Sequence, residues 1–203
     1  INWDLDVNDQ DAVLILKHTT NQDSLTLLQQ EVGDVNRDSN LSPFDASLIL
    51  QYSQGHIDEL PHYQESITLG GTIFSENQYS DLSNIITIPI FADSLINLLS
   101  FSFTLYFENS LLNYGSAYSS TLNDGGFLIE DHHESGEVYI SCAGPLPISQ
   151  NGPLLDIYFT VAETFTEPTS LTFSDIIINE DHIVEDFEIN LSSTLSSLKD
   201  NKI

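Results

Sequence analysis

Residues 33–55 read GDVNRDSNLSPFDASLILQYSQG, and this stretch decides how the rest of the chain is understood. In DVNRDSNLSPFD, residues 34–45, oxygen-bearing side chains fall at loop positions 1, 3, 5, 9 and 12: Asp34, Asn36, Asp38, Ser42 and Asp45. At position 7, Asn40 offers its backbone carbonyl. A hard cation collects about six to eight oxygens, and alternate residues of a tight loop converge on one point, so the spacing predicts a calcium site. The residues that follow, 46–53, place Leu48, Ile49 and Tyr52 at helical spacing. Asp45 therefore closes the loop from the first turn of a helix, where the helix dipole favours a carboxylate.

The pattern occurs twice. DAVLILK at residues 11–17 recurs as DASLILQ at 45–51, 34 residues later. The same offset carries Asn36, Asp38, Asn40 and Ser42 back to Asn2, Asp4, Asp6 and Asn8, with Asp11 as the closing acid. Asp34 maps to the position just before Ile1, so the chain is expected to start inside its first loop: either residues precede Ile1 or the first site is short of one ligand. A middle helix is expected over 23–32, with Leu25, Leu28 and Val32 on one stripe. Neither unit can bury its apolar stripe alone, so the two are expected to pack together.

Position 12 is Asp instead of the Glu of the general EF-hand loop, and position 6 is Ser39 instead of Gly. With the duplication, these features resemble a dockerin, a small all-α domain of paired calcium loop-helix (F-hand) repeats. That resemblance implies one or two Ca2+ ions and a cohesin as partner. It also implies recognition through loop positions 10 and 11, which here are Asp9-Gln10 and Pro43-Phe44. The two pairs differ, as do Trp3 and Arg37 at position 4, so one docking orientation is expected. Phe44 is either an apolar anchor for the partner or packed against the first repeat.

Composition narrows the function. Four Lys+Arg against 31 Asp+Glu leave a formal net charge of −27, which excludes nucleic acid as a partner. Such acidity suits a calcium-rich extracellular or cell-surface setting, and a secreted, processed chain is expected. The single cysteine, Cys142, permits no internal disulfide and alternates in phase with Val138 and Ile140, as a buried small hydrophobe does. No apolar run reaches membrane-spanning length.

From Ile67 the hydrophobic period changes from helical to two. Ile86, Ile88 and Ile90 alternate with polar neighbours, as do Phe101, Phe103, Leu105 and Phe107, then Leu155, Ile157, Phe159 and Val161. About nine such runs, with turn signals at 123–126, 134–136 and 151–153, predict an antiparallel sandwich. ITIPIFA, SFSFTLYFENSLL, GEVYISCAG, NGPLLDIYFTV and TSLTFSDIIIN, in that order, resemble a cohesin domain, which implies a jelly-roll topology. The expected organisation is two domains: a dockerin-like unit at 1–60, a linker at 61–66, a cohesin-like sandwich at 67–191 and a tail at 192–203.

No catalytic constellation is present, so no enzyme activity is expected. The cohesin resemblance places partner binding on the sheet face of strands 99–107, 126–131 and 136–143. Its outward set is Ser102, Thr104, Tyr106, Tyr139 and Ser141. Tyr106 and Tyr139 are anchors for a dockerin, a stacking platform for sugar rings, or surface aromatics. His132-His133 reads as a solvated turn between strands, and Asn190-Leu-Ser is a candidate glycosylation site. The functional expectation is a calcium-dependent assembly protein whose dockerin-like part binds the cohesin-like part of a neighbouring copy, in a ring or filament. A heterotypic adaptor in a cellulosome-like complex and a carbohydrate-binding sandwich are the alternatives. The roughly eight-residue connection, about 25–30 Å at full reach, is expected to keep the repeats off their own sheet face.

Overall fold

A computed structural model of the chain describes residues 1–63, 70–80, 85–162, 168–180 and 182–193. Residues 64–66 of the expected linker and 194–203 of the expected tail lie outside the described residues.

The two loop-helix units share the same caps and the same loop turns. Asn8 caps α1 (Asp9–Thr19) and Ser42 caps α3 (Pro43–Ser53), each cap oxygen accepting an amide of the first turn. Asp11 and Asp45 then accept the amide of their own cap residue at 3.2 and 3.0 Å, completing a capping box in both units. Upstream, Asp4 accepts from the Asp6 amide at 2.9 Å as Asp38 accepts from the Asn40 amide at 2.8 Å. Loop positions 4 and 6 are left-handed in both: Trp3 and Arg37 at φ 69° and 62°, Leu5 and Ser39 at 76° and 74°. The glycine usual at position 6 avoids this strain, and neither loop has one.

The middle helix is shorter than the spacing predicts. α2 (Leu27–Gly33) starts only after Thr26, whose side chain caps it, so Leu25 is buried outside the helix. Leu28 and Val32 remain about half exposed, because α1 and α3 bury their stripes elsewhere.

The β-domain follows the period-two pattern. Its elements are β1 (Gly70–Phe74), β2 (Gln78–Ser80), β3 (Ile85–Tyr106), β4 (Leu112–Tyr118), a short α4 (Ser120–Asp124), β5 (Leu128–Glu134), β6 (Glu137–Val161), β7 (Thr169–Ile178), β8 (His182–Val184) and β9 (Phe187–Ser193). β3 and β6 are long enough to serve both layers. Residues 85–98 of β3 pair with 148–160 of β6, beside β1 and β4; residues 100–106 pair with 137–143, beside β7 and β5. Register shifts between Ile90 and Ser100, with Ser94 and Asn97 at φ 56° and 58°, mark where β3 passes from one layer to the other. The alternating residues close on one core: Ile86, Ile88, Phe101, Phe103, Val138, Ile140, Cys142, Ile157, Phe159, Phe173 and Ile189 are all buried in it.

Two expected turns take other forms. Residues 151–153 lie inside β6, where Leu155 opposes Ile90 but Pro153 opposes Phe91, so the extra residue is absorbed as a bulge. Residues 123–126 are the end of α4 and its two glycines. The signal at 134–136 is the β5–β6 hairpin, and His132 and His133 belong to strand β5 rather than to the turn.

Candidate functional site

On the sheet of β7, β3, β6 and β5, the register aligns Ser100 with Ala143 and Leu128, Ser102 with Ser141 and Glu130, and Thr104 with Tyr139 and His132. These positions alternate with core residues and therefore point away from the sandwich interior. They do not all meet solvent. Ser100, Ser141 and Ala143 are at most 1% exposed, because α3 packs on β3 and β6, and α1 on β5 and β6.

The contact has an apolar centre and polar pins. Ala12, Ile15 and Leu16 of α1 and Phe44, Ala46, Leu48, Ile49 and Leu50 of α3 form one cluster with Leu99 and Ala143 of the sheet, and Leu128 packs against it. Ser47 Oγ donates to the Leu99 carbonyl at 2.8 Å. The Thr19 and Ser141 hydroxyls meet at 2.8 Å, and Gln22 Nε2 donates to the Asp131 carbonyl at 3.4 Å. Burial raises the Glu130 carboxyl, and Lys17 of α1 opposes that shift. Every residue of α3 from Pro43 to Gln51 is buried, since α1 covers one side and the sheet another.

This overturns the expectation that the repeats stay off their own sheet face. Leu48, Ile49 and Leu50 put apolar side chains on successive faces of α3, which a single covering layer cannot bury, and the small outward residues Ser100, Ser141 and Ala143 let it approach the strands closely. The helical part accordingly packs on the sheet through a cluster of its own, which takes Leu99 and Ala143 from the strands and is distinct from the sandwich core.

The second loop lies at the edge of this contact. Asp34 accepts from the amides of Asp38 and Ser39 at 3.2 and 3.0 Å, and Asn36 Oδ1 accepts from the Asp38 amide at 3.0 Å. Fully buried Asp45 accepts from the Val35 and Asn36 amides at 2.9 and 3.3 Å. Burial pushes Asp45 up to about 7, against the pull of those amides. A residue from the far end of the sequence joins them. Glu180, after β7, accepts from Asn36 Nδ2 and from Ser42 Oγ, both at 2.6 Å. Its carboxyl is raised to about 8 by burial, with Asp45 and Asp38 adding to the shift while the Ser42 bond opposes it.

The donors available around this loop are oxygens only, from Asp34, Asn36, Asp38, Asn40, Ser42 and Asp45, and that chemistry fits a hard divalent cation. Among the described residues no three His, Cys, Asp or Glu side chains are grouped closely enough to hold a metal by themselves. The loop depends on its Asn and Ser oxygens to complete a set.

The same architecture is found in solved structures. A non-cellulosomal cohesin from the archaeon Archaeoglobus fulgidus aligns over 66% of this chain and 99% of its own at 19% identity, with a TM-score of 0.50. The sixth cohesin of scaffoldin B from Acetivibrio cellulolyticus, solved with a Cel5 dockerin, aligns over 61% and 99% at 13% identity, with a TM-score of 0.51. A cohesin module from a family 33 glycoside hydrolase of Clostridium perfringens aligns over 62% and 99% at 14% identity, with a TM-score of 0.50. The sandwich has the cohesin fold. No family profile matches the chain, and no curated protein resembles its sequence.

Around the cohesin-fold sandwich, the residues singled out by sequence divide into three groups. Asp34, Asn36, Asp38, Asn40, Ser42 and Asp45 form one loop, and Asn2, Asp4, Asp6, Asn8 and Asp11 form its counterpart. Pro43 and Phe44 are buried in the helix-sheet contact, so they are not offered to a second molecule; Trp3, Asp9 and Gln10 of the first unit are exposed. Tyr106 stays 39% exposed beyond the end of the helices, while Tyr139 donates its hydroxyl to Glu137, a bond that holds its pKa up at about 12. Of the expected outward set, Thr104 and Ser141 are buried. Asn190 is exposed on β9.

Sequence reading missed Glu180, Asn179, Ser47, Leu99 and Ala143. Asn179-Glu180 looks like an ordinary polar turn after an apolar strand, and nothing local links it to a loop 138 residues away. The available signal was the run of small residues in the outward phase of β6, Ser141 and Ala143, which admits a helix.

Proposed function

We propose that this chain is a non-catalytic, calcium-dependent protein-interaction module of an extracellular assembly, in which dockerin-like repeats occupy the binding face of a cohesin-like sandwich within one molecule. The burial of α3 against β3 and β6 carries the reading. Two solved structures support it by what they contain: the Acetivibrio cohesin was solved with a dockerin, and a type I cohesin-dockerin complex from Clostridium thermocellum aligns over 61% of this chain with a TM-score of 0.50. Calcium bound at 34–45, and at the first loop, would order the helices that make the contact. Head-to-tail pairing of copies would need these same surfaces, and they are already buried on each other. Separating them exposes Leu48, Ile49 and Phe44, each worth about 1.5–3 kcal/mol of burial. A closed monomer in calcium is therefore expected, and an opened chain is the form that could pass the contact to a neighbour.

Light scattering with size exclusion tests this, comparing the parent with Ala143→Glu. Ala143 belongs to the helix-sheet cluster and not to the sandwich core, so the substitution should release the helices without unfolding the sandwich. A compact calcium-bound parent and an expanded or self-associated variant are expected. Parent filaments in calcium would overturn the closed form, and a sugar that binds the parent but not Tyr106→Ala would favour the carbohydrate reading.

A further inference from the structure

We propose that Glu180 is a calcium ligand supplied by the sandwich to the 34–45 loop, so that one ion holds the helical units on the sheet face. The inference rests on the reading of that loop as a calcium site. Both oxygens of Glu180 already face the loop: Oε2 accepts from Asn36 Nδ2 at loop position 3 and Oε1 from Ser42 Oγ at position 9, each at 2.6 Å. Position 9 of such loops often reaches the ion only through water, and a serine hydroxyl is short. A glutamate beside it brings two further oxygens and a charge to the side of the loop that its own side chains serve least.

The placement is not accidental to a flexible turn. Asn179 and Glu180 adopt left-handed backbone, φ 47° and 72°, which costs a non-glycine residue and persists only where neighbours impose it. Here the neighbour is the sheet. Asn179 Oδ1 accepts from the Leu99 and Ser100 amides at 2.8 and 2.9 Å, and its Nδ2 donates to the Asn97 carbonyl at 2.6 Å. Leu99 is also the residue whose carbonyl receives Ser47 of α3. Hydrogen bonds thus run from helix α3 through Leu99 and Asn179, and the chain carries them on to Glu180 and back into the loop that opens α3.

The electrostatics call for a cation. The charged groups acting on Glu180 are the acids Asp45 and Asp38, while Arg37, the only basic residue of the loop, donates to the Tyr63 hydroxyl at 3.3 Å. Carboxylates gathered at a partly buried point repel one another once ionised, and a proton or a cation must then offset the charge. Among the described residues the first loop makes no such link: its Asn2 Nδ2 donates to Asp4 within the loop. Because only the docked arrangement presents Glu180, an ion in the second loop binds the docked state better than any opened one, and docking in turn raises calcium affinity.

The test uses the full chain, with calcium followed by calorimetry and Eu3+ luminescence lifetimes counting coordinated waters. Glu180→Gln keeps the shape and one acceptor oxygen but removes the charge, and Glu180→Asp keeps the charge but withdraws it by one methylene. Both should weaken the second site tenfold or more and add a water to the bound Eu3+, leaving the first site unchanged. Asp34→Ala reports separately on the loop. If Asp34→Ala binds as the parent does, the calcium reading of the loop fails. If Asp34→Ala loses the second ion while both Glu180 variants stay within twofold of the parent with the same water count, the loop stands and the role of Glu180 is overturned.

Discussion

Ser47 of helix α3 donates its hydroxyl to the carbonyl of Leu99 in strand β3 at 2.8 Å, across 52 residues of sequence, and both residues are buried. The bond satisfies a carbonyl that the irregular register of β3 between Leu98 and Ser100 exposes beneath the helix. It is the polar counterpart of the Leu48 and Ala143 packing around it.

Ser47→Ala should leave that carbonyl without the helix donor and cost about 1 kcal/mol. Leu48→Ala, which opens a cavity in the same contact, should cost about 2–5 kcal/mol. Urea unfolding followed by far-UV circular dichroism checks both. Equal and negligible losses would mean that the helices contribute nothing to the stability of the sheet face.

Ser39→Gly should stabilise the second loop. Ser39 stands at φ 74° without the freedom of glycine, and relief of a left-handed residue is worth about 1–2 kcal/mol before the added flexibility of glycine in the unfolded chain is deducted. A net gain of about 0.5–1 kcal/mol is expected. Thermal melts and calcium titration of the variant should both shift upward; a loss in either would contradict the strain argument.

Chelated protein should lose stability as the pH rises. Asp45 is held up at about 7 and Glu180 at about 8, chiefly by burial, against ordinary values of 3.8 and 4.5. Between those ordinary values and the raised ones the folded chain holds protons that the unfolded chain has released. Stability is therefore fullest below about pH 4 as far as these two groups decide, and falls as the pH climbs through 7 to 8. Calcium should reverse the trend, because it takes the deprotonated carboxylates. Melting temperatures at pH 5 and pH 8, with calcium and with chelator, test the sign; a chelated chain more stable at pH 8 than at pH 5 would refute it.

Gly144→Ala should damage the sandwich directly beneath the contact. A Cβ at Gly144 falls on the ring of Phe127, which is buried in the main core. Overpacking of this kind costs about 1–3 kcal/mol. The variant should melt lower while its calcium affinity holds, which separates sandwich stability from loop chemistry.

Local features were legible because each is decided by residues a few positions apart. Asp11 and Asp45 close the two loops at the helix starts, and the structure adds that Asn8 and Ser42 cap those helices. The alternation of Phe101, Phe103 and Leu105 marks a half-buried strand for the same reason. The middle helix was overextended because Leu25, Leu28 and Val32 share a helical spacing that the packing does not use. Pro43 and Phe44 were assigned to a partner because no residue near them reveals that they are buried within their own chain.

The order of residues by itself determined the 34-residue duplication, the oxygen pattern of both loops and the alternating strands of the sandwich. Tertiary structure alone decided that α3 lies on its own sheet, that Ser141 and Ala143 are covered while Tyr106 is not, and that Glu180 meets Ser42. Backbone preference and periodicity act over a few residues and leave a readable trace. Docking depends on small, mixed-polarity surfaces from β3, β5 and β6 meeting a helix from the other end of the chain, and no local pattern records which surfaces will fit.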